Sequence, residues 1–72
     1  NDIVLSAEAR AMIEAINVLP PNYRDVLYLR LIEDFTPEEI GNMFGMSANM
    51  VSVRITRGLE KLRKELKIEK IL

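Results

Sequence analysis

The sequence contains no cysteine, no histidine and no tryptophan. Without cysteine there is no disulfide, no thiolate metal site and no cysteine nucleophile. That absence fits a reducing compartment, and a cytoplasmic setting is expected. Without histidine the chain lacks the commonest acid–base side chain and the commonest metal ligand. No apolar run reaches the roughly 20 residues that a membrane-spanning helix requires, and no signal-peptide pattern is visible. There is no glycine-rich phosphate loop. The two neighbouring carboxylates, Glu38 and Glu39, point in different directions on a helix. No catalytic constellation assembles, so neither enzymatic activity, nor a metal, nor a cofactor is expected.

What remains is enough for a fold. Aromatic residues are few, yet 49% of the 72 residues are hydrophobic, which supplies a core and argues against disorder. At this length residues 1–72 make a single small domain, able to bury about 60% of the surface its unfolded chain exposes. The chain begins with Asn1 rather than Met, so it is read as a piece of a longer protein. The net charge of −1 does not by itself point to nucleic acid. Its distribution says more: residues 1–46 carry three basic and eight acidic side chains, residues 47–72 seven basic and three acidic. Such a chain can present an acidic end and a basic end. Equally, the charges can simply coat solvated helix faces.

The apolar spacing predicts helices throughout. Residues 6–18 form the first, with Ser6 as cap and Ala9, Met12, Ile13 and Ile16 as its apolar stripe. Leu19-Pro20-Pro21 ends it. Residues 22–33 form a second helix, apolar nearly all round and therefore buried. Thr36-Pro37-Glu38-Glu39 opens a third with a capping box, and Ile40, Met43 and Phe44 are expected to point to the core. Gly45 stops it. Ser47 caps a fourth helix running from about 48 to 67, with Val51, Ile55, Leu59, Leu62 and Leu66 as its stripe. The tail keeps Ile68, Ile71 and Leu72 for ordinary packing. The fold class is all-α: a compact four-helix domain with a C-terminal helix-turn-helix and a long last helix.

The helix-turn-helix reading rests on residues that must agree. Ile40 and Phe44 face inward, Gly41 is small where the second helix of the motif crosses, Gly45 makes the turn, Met46 plugs the corner and Val51 packs back. Only a short turn sets the two axes steeply enough to present one helix to a DNA groove.

Three stretches carry a resemblance to a known family. LPPNYRDVLYLR, residues 19–30, resembles the "LP, then R-x-V, then LR" segment that opens region four of sigma-70 family sigma factors. Thr36 to Phe44 resembles that family's "S/T-x-E-E-I-A" helix. Val51, Arg54, Ile55 and Arg57 match its "T-V-K-S-R-L-x-R" recognition helix, and Leu59, Lys61 and Leu62 its "A-x-K-x-L" exit. The likeness spans roughly residues 19–66 and is closest to the extracytoplasmic-function branch. The Leu19-Pro20-Pro21 and Arg24 segment favours it over the helix-turn-helix of a response-regulator-like activator. The resemblance implies sequence-specific DNA binding in transcription initiation. The last helix would recognise the minus-35 promoter element, and the domain would dock on the β flap of the RNA polymerase core. An anti-sigma factor is a further implied partner. This chain departs from the pattern before and after Val51: Asn49 and Met50 replace Gly-Thr, and Ser52 and Val53 replace Lys-Ser. Gly58 replaces the usual Ala, at a helix-propensity cost of about 1 kcal/mol.

The expected base-facing edge is Asn49, Met50, Ser52, Val53 and Arg54. Asn49 can pair with adenine, and Arg54 with guanine or phosphate. Met50 and Val53 suit either thymine methyls or an apolar protein contact. The expected phosphate contacts are Arg24, Thr36, Ser47, Arg57 and Lys61, the two hydroxyls sitting at helix N-termini. Arg63, Lys64 and Lys67 read as a solvated face beside the backbone. The bland alternatives are ion pairs for Arg54 and Arg57 with Glu38 or Glu39, an ion pair for Arg24, an exposed first-turn place for Asn49, and capping alone for Thr36 and Ser47. A protein-interaction module with little DNA affinity of its own is the rival reading for the whole domain.

Overall fold

A hydroxyl opens the first helix of the computed structural model, which describes residues 5–66. Ser6 Oγ accepts the Ala9 N–H at 3.0 Å and starts α1, Ala7–Asn17. The chain then leaves helical geometry at Leu19, and Pro21 takes the first position of α2, Pro21–Leu27. No side chain caps α2; the Tyr23 and Arg24 N–H groups both reach the Pro20 carbonyl, at 3.0 and 2.8 Å. Proline suits this place because its missing N–H would have had no partner.

The second helix does not continue as the single α-helix expected to residue 33. From Tyr28 to Ile32 it widens into a π-helical turn. The extra residue per turn serves two apolar clusters at once: Tyr28 and Ile32 pack against one, Leu29 against the other. Leu31 is left 38% exposed, so this stretch is not buried all round. Arg30 ties down the connection that follows, donating to the Phe35 carbonyl at 3.3 Å and meeting the Asp34 carboxylate at 3.5 Å.

Helix α3, Pro37–Phe44, has the capping box read from the sequence. Thr36 Oγ1 accepts the Glu39 N–H at 3.1 Å, and Glu39 Oε1 accepts the Thr36 N–H at 2.8 Å. Two of the helix's unpaired donors are thereby satisfied. Gly45 ends it with φ 68°, a left-handed backbone that a Cβ would strain. Helix α4 follows as Ala48–Leu66. Among the described residues there are no strands, and no helix is long and apolar enough to cross a membrane.

The core has two clusters. Ala15, Ile16, Leu19, Leu27 and Leu62 join α1, α2 and α4; Val26, Ile40 and Val51 join α2, α3 and α4. Ile55 packs against both. Full burial of such a side chain is worth about 1.5–3 kcal/mol, so these few residues dominate the domain's stability. Among the described residues no polar or charged side chain is buried.

Two expectations for the helix-turn-helix are corrected. Met43 and Phe44 are 50% and 46% exposed rather than in the core. Phe44 sits one turn beyond the buried Ile40, but the left-handed turn at Gly45 swings Met46 into that corner instead, against Val26, Ile40 and Val51. Gly41 is close-packed as expected, yet its neighbour is not the crossing helix. A Cβ there would collide with the Met46 carbonyl oxygen, and the Met46 N–H returns to the Gly41 carbonyl at 2.9 Å. Lys67 and the apolar tail residues Ile68, Ile71 and Leu72 lie outside the described residues.

Candidate nucleic-acid interface

Helix α4 is held in place from its inner side. Val51, Gly58 and Leu62 are buried, and Gly58 lets Leu27 come so near that an added Cβ would stand 3.0 Å from a Leu27 methyl. Its start is fixed by Ser47, whose Oγ accepts the Met50 N–H and whose carbonyl accepts the Val51 N–H, both at 3.1 Å. With the inner face committed, the first two turns show a different face to solvent. Asn49, Met50, Ser52, Val53 and Arg57 are all exposed, and Arg54 is partly so.

Five side chains expected at the interface converge on one open groove of about 290 Å³: Asn49, Met50, Val53, Arg54 and Arg57. The opposite wall is the start of α2, Asn22 and Tyr23. Periodicity along the chain carries no signal for these two, because their place depends on how α2 crosses α4. Ser52 does not line the groove; its carbonyl accepts the Thr56 hydroxyl at 3.1 Å. Arg54 Nη1 donates to Met46 Sδ at 3.5 Å, a weak contact to a soft acceptor that holds the guanidinium against the turn. Among the described residues neither Arg54 nor Arg57 pairs with Glu38 or Glu39.

The other residues with an expected phosphate role are placed apart. Lys61 lies further along α4, its ammonium 5.4 Å from the centre of the Tyr23 ring. This cation–π contact joins the groove's far wall to the basic stretch. Arg24 pairs with the adjacent Asp25 at 3.0 Å and lines a separate groove of about 320 Å³ with Asn17, Tyr28, Leu29 and Phe44. Thr36 is engaged in its capping box. Residues 47–66 carry five basic and two acidic side chains, so the groove opens on the positive part of an otherwise acidic chain.

Comparison with known proteins converges on one family. The family model described as sigma-70, region 4 matches residues 15–64. The ECF RNA polymerase sigma factor SigW of Bacillus subtilis is 39% identical over 67 residues, which is 92% of this chain and 36% of that protein. RNA polymerase sigma factor CarQ of Myxococcus xanthus is 36% identical over 83% of this chain and 36% of its own length. The ECF RNA polymerase sigma factor ShbA of Streptomyces griseus is 40% identical over 83% of this chain and 31% of its own. The chain thus spans about a third of the length of these relatives. No solved structure matches it.

Proposed function

Because the chain belongs to the sigma-70, region 4 family, with relatives in its extracytoplasmic-function branch, we propose that it binds promoter DNA in transcription initiation and recognises the minus-35 element. The observation that carries this reading is the convergence of Asn49, Met50, Val53, Arg54 and Arg57 on one groove at the capped start of α4. In a major groove, Asn49 can bond adenine through two hydrogen bonds, and Arg54 can reach guanine from its seat beside Met46. Ser52, exposed on α4 outside the groove lining, offers a short hydroxyl beside it. Arg57 and Lys61 supply phosphate contacts that position the helix without reading sequence. Ser47 and Thr36 offer helix N-termini to phosphate, and Arg24 acts as a clamp on the backbone.

Docking on the polymerase β flap would use the domain's second exposed apolar surface. There Phe44 and Leu29 line the groove that also holds Arg24 and Asp25. An anti-sigma factor would compete for the same kind of surface.

Fluorescence anisotropy with a pool of promoter duplexes over a salt series tests the reading, with an isolated β-flap domain alongside. Sequence-selective binding that weakens steeply with salt is expected. Flap binding with no selective DNA binding would replace it with the protein-interaction reading.

A further inference from the structure

We propose that Met50 and Val53 recognise the C5-methyl group of thymine, so that selectivity rests on thymine-bearing steps; this deepens, and depends on, the promoter-binding reading of the same groove. The two side chains stand three residues apart on one helix face, 52% and 42% exposed. They are not strays from the core stripe, since Val51 and Leu62 already bury the opposite face of α4. Both line the groove together with Asn49, Arg54 and Arg57.

The occupant must combine apolar points with surrounding negative charge. Residues 47–66, with five basic and two acidic side chains, provide the complement to that charge. Duplex DNA has this combination: phosphates along both rims and, inside the major groove, a methyl group that only thymine carries. Arg54 lines the same groove with its guanidinium 3.5 Å from Met46 Sδ, so a cation stands beside the apolar pair. Asn49 completes the chemistry. An A·T pair offers adenine N6 and N7 to an amide side chain and, from its other strand, a methyl to an apolar one.

The test uses the full chain with core RNA polymerase and the tightest duplex from the selected pool. Each thymine is replaced in turn by deoxyuridine, which removes only the methyl. Wild type should lose affinity about threefold to fourfold at one or two positions, the ratio expected for one buried methyl. Met50→Ala with Val53→Ala should erase that loss, while Met50→Leu should keep it. Selective binding that is indifferent to uracil would overturn the methyl reading and leave promoter binding standing. A uracil penalty unchanged in the double alanine variant would also overturn it. Absence of any selective duplex would overturn both readings. If Met50→Asp then also released the polymerase, the pair would belong to a protein contact.

Discussion

At Gly41, Gly45 and Gly58 one added carbon would meet three different surroundings. At Gly41 it runs into the Met46 carbonyl, which is backbone and cannot move aside without opening the turn. At Gly45 the space is empty, but the backbone is left-handed. At Gly58 it presses on the buried Leu27 side chain, 3.0 Å from one methyl and 3.1 Å from Cγ. Urea unfolding should therefore rank the alanine variants. Gly41→Ala should lose the most, about 1–3 kcal/mol or more from overpacking. Gly45→Ala should lose about 1–2 kcal/mol from the left-handed backbone. Gly58→Ala should lie close to the parent, because about 1 kcal/mol of helix propensity offsets the displacement of Leu27. Leu27→Ala should cost about 2–5 kcal/mol, since the side chain is fully buried between α2 and α4. The Gly45 turn is legible in the sequence because a stop after a capped helix is a local signal. The surroundings of Gly41 and Gly58 are not, because residue type alone does not tell which atom approaches from elsewhere in the fold.

Helix boundaries follow the same division. Ser6, Thr36 and Ser47 each accept an N–H three residues on, and all three caps can be read from neighbours in the chain. Thr36→Ala should lower stability by about 1 kcal/mol, and Glu39→Ala should cost little more once Thr36 is gone, which a double-mutant cycle by thermal unfolding would measure. Ser47→Ala should cost a similar amount and fray the turn that carries Asn49 and Met50, so its loss should register in DNA binding too. What resists reading at this scale is any feature set by competition for a place. Phe44 fits the inward pattern of α3 yet stands 46% exposed, because the corner holds Met46, the plug read there from the sequence, and has no room for both. The widened turn at Tyr28–Ile32 leaves no mark in a stretch whose residues other than Arg30 are apolar, since such a stretch suits either helical pitch.

Across the whole molecule, charge separates what periodicity does not. The acidic first part and the basic last part were visible by counting, and so was the outward edge of α4. The wall contributed by Asn22 and Tyr23, and the stacking of Lys61 on Tyr23, needed the packing of α2 on α4. Arg57→Ala should weaken binding to all duplexes alike and reduce the salt slope by about one ion's worth, measured by anisotropy from low to moderate salt. The π-helical turn has its own consequence, in time rather than in space. None of its five residues is buried, and its closing bonds are long-looped, from Glu33 N–H to the Tyr28 carbonyl and from Phe35 N–H to Leu29. Amide protons there should trade for deuterium well before those around Val51 and Leu62, as a mass-resolved exchange series would record. The clock of the domain would then start at this loosened coil, with the turn after α2 opening and closing many times while α4 keeps its protons.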